Sequence, residues 1–529
     1  MLRRRPGHTA HDDDGNGKFK STGSPSSQQE SSSSIVSNIT LMCVVIFFIT
    51  AGFLQHYYDE SRSQAHLPGT AANLNHYKKV VKQPFFSKKR GYKQSMLTPE
   101  QDAALELDKE DRRYHTVFST DCSPYQHWQS YLVFFSAMKM HQTGFVTRIA
   151  SGCDAEQADA MQEWFKSDIQ FMSKRFRLQL TPHFSGIKNE AGETVGDYKF
   201  FNKPFGVLYW MENSPALQYH NDTYGFFPSG TIKDVVIIID PDMALMRPIT
   251  GDFSDDRETV ISGRRKDKIL ARKVASGQPF AQVYGFGAQW ARLDLEKICG
   301  PGTPAAKVDQ ADGFRHYPAG PPYIGTVADM YQIALHWTKF VPGVYEQYPH
   351  LLAEMFAFSI AAAHLKMPFQ LIDSLMISKV DVGGEGWPLV DQIPAEEVCA
   401  FAKDPVHSQH AVPSVVHMCQ RYAVGSEWFF TKRKIPSDIY DCDTPLFAEP
   451  PDDLAMTTHY RWPPGGHKQD MTVQETVRES FMICYIYSLM NQAAAFYKQN
   501  ACSSGGINLA KTRNLVQYMA DKNKKKEAE

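Results

Sequence analysis

Hydrophobic and polar positions divide this chain into stretches of different period. Residues 115–121 (HTVFSTD) and 144–152 (GFVTRIASG) are short β-prone runs. Each precedes a segment with helical spacing, 125–139 and 154–172. Residues 202–213 (NKPFGVLYWMEN) open with an N-cap Asn and an early proline, a helix-start signal. The run 235–239 (VVIII) is apolar throughout, as in a strand buried on both faces. This strand–helix alternation predicts an α/β fold with a parallel, Rossmann-like sheet. Past Pro248 the pattern is less regular, with a Pro/Gly-rich loop expected over 316–330 and helices over 351–365 and 480–499. No internal repeat is visible.

The 235–239 run ends at Asp240-Pro241-Asp242. A buried unpaired carboxylate is too costly for the strand to continue, and Pro241 removes a ladder donor. Both aspartates therefore belong at the carboxyl end of a central strand, where open α/β sheets bind ligands. An Asp-x-Asp in extended chain turns two hard oxygen ligands to one side, which suits Mn²⁺ or Mg²⁺ and, through it, a diphosphate. The same tripeptide is also ordinary turn chemistry.

The amino-terminal region changes the picture. Residues 1–34 are polar and include a Ser/Gln run, a composition expected to be disordered. Residues 35–54 (IVSNITLMCVVIFFITAGFL) carry no charge and are about long enough to cross a bilayer. Arg3, Arg4, Arg5, Lys18 and Lys20 precede them and favour a cytoplasmic amino terminus. The expected organisation is a cytoplasmic tail (1–34), a type II signal anchor (35–54), a stem (55–113), a lumenal domain (114–510) and a charged tail (511–529). Eight of nine cysteines follow the anchor, a number that permits disulfides without specifying pairs. Asn221-Asp222-Thr223 is a usable glycosylation sequon. A net charge of −2 gives no argument for nucleic acid, and 12% aromatic residues suit both a large core and a sugar-binding cleft.

Several segments, in order, resemble the hydroxyproline O-arabinosyltransferase and peptidyl-serine α-galactosyltransferase group of plants and algae. They are FSTDCSPYQHWQ, FVTRIASG, FNKPFGVLYWME, VVIIIDPDMALMRPI, GQPFAQVYGFGAQW, PAGPPYIGTVADM, LLAEMFAFSIAAA and VVHMCQRYAVGSEWFFTKRKIP. The resemblance implies a GT-A-like, Rossmann-type nucleotide-sugar transferase domain, and with the transmembrane helix read at 35–54 the expected setting is the Golgi or ER membrane. It implies transfer of a sugar from a UDP-sugar to a hydroxyl of a secretory-pathway protein, with retention of configuration. The arabinosyltransferase arm commonly reads Glu-Pro-Asp-His where this chain has Asp240-Pro241-Asp242-Met243, and residues 282–290 look nearer the serine-galactosyltransferase arm. Arabinofuranose and galactose as donor, and hydroxyproline and serine as acceptor, all stay open.

Each candidate residue has a functional and a structural reading. Asp242 is expected as a direct metal ligand, with Asp240 on the metal or the ribose. His417 resembles the late histidine that completes a GT-A metal site, or is a hydrogen-bonded core histidine. Ser119, Thr120 and Asp121 end the first strand, where a nucleotide base sits, or form a capping turn. Arg148 and Lys203 either meet the diphosphate or uridine, or are solvated. Glu354, on an otherwise apolar helix, faces the acceptor or is salt-bridged. Trp290, Trp387 and Trp428 stack on sugar or peptide, or pack in the core. The competing reading of the whole protein is a membrane-tethered sugar-binding or scaffold protein that kept the fold without catalysis.

Overall fold

The computed structural model describes residues 96–529 apart from 124, 189–193, 215–216, 218–232, 265–271, 406–409, 503–506, 508 and 529. The expected tail, the anchor at 35–54, most of the stem and Asn221 lie outside the described residues. Among those described, no helix is long and apolar enough to cross a membrane.

The fold starts earlier than the boundary read at 114. Helix α1 (Pro99–Ala104) has Thr98 as N-cap in a reciprocal capping box with Gln101. Its Asp102 is buried, accepts from Ser173 Oγ at 2.6 Å and pairs with Arg175 Nε at 3.0 Å. The last part of the expected stem is therefore bonded into the sheet domain.

The centre of the molecule is built from β1 (Tyr114–Asp121), α2 (Tyr125–Lys139), β2 (Phe145–Ser151), α3 (Ala155–Trp164), β3 (Phe176–Thr181), α4 (Asn202–Asn213), β4 (Val235–Ile239), β5 (Met243–Leu245), β6 (Phe280–Val283), β7 (Ala319–Thr326), α5 (Val327–Gln347), α6 (Ala353–His364) and β8 (Gln370–Ile372). Seven of the strands form one sheet in the order β8-β6-β7-β4-β1-β2-β3. Val235, Ile237 and Ile239 of β4 face a core that includes Leu132 and Phe135 of α2. Val236 and Ile238 face a second core with Trp210 of α4, Trp337 of α5 and Phe358 of α6. Helices on both faces explain why β4 has no polar position. Each β4 side chain is at most 2% exposed, which stabilises by roughly 1.5–3 kcal/mol per fully buried Val or Ile.

The sheet is mixed, not parallel throughout. Strand β7 runs antiparallel to both β4 and β6. It occupies the segment read from sequence as a loop, 316–330, and α5 starts within the same segment. Proline normally excludes a central strand because it lacks a ladder donor. Here Pro321 and Pro322 sit where the register with β6 slips, between the pairs Ala281–Tyr323 and Gln282–Gly320. Pairing with β4 ends at Tyr323, before either proline is reached.

Three local corrections follow. Asn202 is not an N-cap: a 3₁₀ turn, Lys199–Phe201, leads into α4, and Asn202 Oδ1 accepts from Phe184 N at 3.0 Å instead. A small sheet holds β9 (Met376–Ile377), β10 (Val415–His417) and β5, and a hairpin follows from β11 (Arg421–Val424) and β12 (Trp428–Thr431). The helix expected over 480–499 is α7 (Val473–Ala501), which starts earlier because Thr472 and Glu475 form a capping box. The expected charged tail contains a strand pair to Leu446–Phe447 and α8 (Leu515–Ala528), whose Leu515 and Met519 are buried in the core.

Six cysteines form Cys122–Cys153, Cys399–Cys484 and Cys442–Cys502; Cys299 and Cys419 are free. The first disulfide joins the carboxyl ends of β1 and β2.

Candidate active site

Strand β4 delivers Asp240 to the carboxyl end of the sheet's central strand, and Met243 N donates to Asp240 O at 3.1 Å to close a turn. The chain then reverses into β5. Strand β10 pairs antiparallel with β5, in the register His417–Met243, Val416–Ala244 and Val415–Leu245. Met418 N donates to Asp242 O at 2.9 Å. This pairing sets the His417 ring beside both carboxylates. Nε2 lies 3.2 Å from Asp242 Oδ1 and 3.9 Å from Asp240 Oδ2. Asp240, Asp242 and His417 each offer a ligand atom, all within 4.8 Å of one another. The turn and ligand-set readings of Asp-Pro-Asp are thus compatible in one geometry.

Two lysines neutralise this anionic site. Lys203 Nζ, from the first turn of α4, reaches Asp240 Oδ1 at 2.7 Å and Glu354 Oε1 at 3.2 Å. Lys432, after β12, is ion-paired with Asp242 Oδ2. Gly206, one turn beyond Lys203, lets α4 close on the sheet: a Cβ there would meet Ile149 at 3.1 Å and Ser151 Oγ at 3.3 Å.

Protonation equilibria follow from these contacts. Burial opposes the Asp242 carboxylate, but His417 and then Lys432 hold its pKa well below the ordinary aspartate value. Burial opposes the charge on Lys203, yet Asp240 and Glu354 hold it well above the lysine range. Burial lifts Glu354 to about 7, with Lys203 pulling it down and Asp240 pushing it up. The two shifts have different causes: two carboxylates hold the Lys203 proton, while burial raises Glu354 by more than the one ammonium, nearer to Asp240, pulls it down. Glu354 Oε2 is buried and has no partner among the described residues.

The nucleotide candidates sit at the same end of the sheet. Register pairs Phe118 with Ile239, so Ser119 and Asp240 leave adjacent strands side by side. Arg148 of β2 is buried, donates from Nε to Thr120 Oγ1 at 2.9 Å and from Nη2 to Asp121 O at 3.3 Å, and lies 5.2 Å from the Trp164 ring centroid. Burial lowers its pKa to about 9, partly offset by Asp121. Its Nη1 has no partner among the described residues. Arg148 is therefore not solvated. Asp121 Oδ1 accepts from Ser123 N at 2.9 Å, which is the turn reading of that residue.

Trp290 and Trp387 are buried in the core, and partly buried Trp428 packs on Tyr487. Sequence reasoning missed Lys432 and Tyr284. Lys432 stands in a Lys-Arg-Lys run that reads as a solvated patch, but it follows the apolar strand β12 much as Asp240 follows β4. The Tyr284 hydroxyl lies 3.4 Å from His417 Nδ1, a contact with no local signal.

No family model matches the chain. It is 26% identical over 353 residues to the peptidyl serine alpha-galactosyltransferase of Arabidopsis thaliana, covering 64% of this chain and 34% of that protein. This bears out the resemblance drawn from the motifs, and the chain spans about a third of that relative's length. Two solved structures of LgtC, an active-site mutant and the galactosyltransferase with donor and acceptor sugar analogs, match at 13% and 12% identity. Each match covers 58% of this chain and 87% of theirs, with TM-scores of 0.29 and 0.27, too low to carry an argument.

Proposed function

We propose that the chain is a glycosyltransferase that moves a sugar from a UDP-sugar to a protein hydroxyl. The observation that carries this reading is the convergence of Asp240, Asp242 and His417 at the carboxyl end of β4, ringed by Lys203, Lys432 and Glu354. Two carboxylates and an imidazole form a donor set suited to Mn²⁺ or Mg²⁺. Bound there, such an ion would supply Lewis-acid stabilisation to the departing diphosphate. Lys203 and Lys432 are held in the charged state beside the same position and assist that charge. Ser119 and Thr120 at the end of β1 lie on the strand beside the one that carries Asp240, where the nucleotide would sit, and buried Arg148 braces that strand end through Thr120 Oγ1 and Asp121 O. Glu354, neutral or ionised near pH 7, is placed to hold the sugar or the acceptor hydroxyl.

The similarity to a peptidyl serine alpha-galactosyltransferase favours galactose and serine over arabinofuranose and hydroxyproline. Retention of configuration, a type II anchor at 35–54 and a Golgi or ER location belong to the same proposal. The test is transfer from UDP-galactose, UDP-arabinofuranose and UDP-glucose to serine- and hydroxyproline-containing peptides, with Mn²⁺ and with chelator. Asp242→Asn should cost about 10²–10³ in rate, the usual loss for one transition-state electrostatic group. Absence of UDP and donor binding in the presence of Mn²⁺ would leave the non-catalytic sugar-binding reading in its place.

A further inference from the structure

The nitrogen of His417 turned away from the carboxylates has its own partner. Nε2 faces Asp242 and Asp240, while Nδ1 lies 3.4 Å from the Tyr284 hydroxyl. That hydroxyl also reaches Met376 Sδ at 3.5 Å. Tyr284 follows β6 directly, and its backbone N donates to Pro318 O at 2.7 Å. The ring is seated by Gly320: a Cβ at that position would lie 2.1 Å from Tyr284 Cδ2. Any larger residue at 320 would push the ring from its place. The other contacts of His417 are its backbone pairing to β5, the Tyr422 hydroxyl at 3.0 Å from His417 O, and Cys419 beside the ring. A thiol is a weak donor and a weak acceptor, so the phenol is the stronger partner for Nδ1.

A neutral imidazole carries one proton, and the group bonded to the second nitrogen decides which nitrogen keeps its lone pair. We propose that Tyr284, seated by Gly320, is a positioning residue for His417: its oxygen accepts Nδ1–H and its own proton points to Met376 Sδ, so that Nε2, 3.2 Å from Asp242 Oδ1, is the nitrogen that would give up its proton and turn its lone pair to a cation held with Asp240 and Asp242. This rests on the metal-binding reading of that trio. Partners of this kind typically account for 10–100-fold in metal affinity. The residues act together from positions far apart in sequence, since the Tyr284–His417 contact spans 133 positions.

The test is Mn²⁺ binding to the full chain without nucleotide or acceptor, measured by calorimetry and by the paramagnetic signal of free Mn²⁺. Tyr284→Phe keeps the ring over Gly320 and removes only the hydroxyl. It should weaken Mn²⁺ binding by about tenfold or more, with the melting temperature in chelator near that of the wild type. The ¹⁵N shifts of His417 in the protein loaded with diamagnetic Mg²⁺ should show a weaker preference for Nδ1–H in Tyr284→Phe than in the wild type. Gly320→Ala should weaken binding as well. Cys419→Ala, beside the same ring, should leave affinity within about twofold, well short of the roughly 10–100-fold loss expected for an orienting partner. Unchanged affinity in Tyr284→Phe, while Asp242→Asn abolishes binding, overturns the role of Tyr284 and leaves the metal reading standing. Undiminished binding in Asp242→Asn overturns both. A loss in Cys419→Ala equal to that in Tyr284→Phe overturns the assignment to the phenol.

Discussion

At the residue scale, the site is a problem of shared charge. Lys203 bonds two carboxylates, and the more buried of them, Glu354, is lifted to about 7. A carboxyl whose folded pKa lies above its unfolded value favours the folded state most when protonated. Its contribution is fully present below about 4.5 and is lost as pH rises through about 7. The expected loss is on the order of 3 kcal/mol at about 1.4 kcal/mol per unit. In Glu354→Gln that loss should vanish, so the variant gains on the wild type between pH 4.5 and 8 when both are unfolded by denaturant in chelator. Parallel pH profiles would mean that Glu354 is not held as described. Asp240, Asp242, His417 and Glu354 were legible in sequence because each charge or imidazole interrupts or ends an apolar run, where a polar group needs a partner or a task. Lys432 was not, because its partner Asp242 is 190 positions away and nothing nearby marks the lysine as buried.

At the element scale, β1, β2, β4 and helices α2, α4 and α6 were legible from period, length and flanking turns, and β4 most plainly, since both faces of the sheet are covered and that strand is apolar throughout. Strand β7 was not. Its prolines and glycines read as loop, and only the slipped register beside Gln282 makes them tolerable inside a sheet. With β7 hidden, the sheet looked parallel. The Cys122–Cys153 pair could not be read either, because an even count admits many pairings. It closes a separation of 31 residues and ties the strand ends that carry Asp121 and Arg148. Replacing both cysteines by serine should lower stability by roughly 2–4 kcal/mol, measured as a shift in denaturant midpoint. It should also weaken UDP binding more than replacing Cys442 and Cys502, which tie the carboxyl end of α7 and neither of which adjoins β1, β2 or β4 in sequence. Equal effects of the two replacements on UDP affinity would separate the disulfide from the site.

At the scale of the whole molecule, the question is how much chain the site needs. The sequence placed the start of the domain at 114, because 55–113 is charged and lacks a clear period. The structure places eighteen residues before that boundary, 96–113, against the sheet. Asp102 neutralises buried Arg175, Leu105 O accepts from Gly144 N at 2.6 Å, and Arg113 O accepts from Val235 N at 2.8 Å at the start of the strand that delivers Asp240. A chain beginning at Met96 keeps all three contacts and should bind Mn²⁺ and UDP as the full chain does. A chain beginning at Tyr114 strands Arg175 with its two backbone carbonyl partners, Gln142 O and Gly144 O, and no carboxylate. Removing one member of a buried pair typically costs about 3–5 kcal/mol, and the first pairing bond of β4 goes with it. The shorter chain should therefore unfold at lower denaturant and bind UDP less tightly at equal concentration. Asp102→Asn in the chain from Met96 isolates the charge from the backbone contacts, and should reproduce most of the stability loss while leaving β4 intact and UDP affinity near normal. If the chain from Tyr114 matches the longer one in both stability and UDP affinity, residues 96–113 belong to the stem after all, and the site is complete without them.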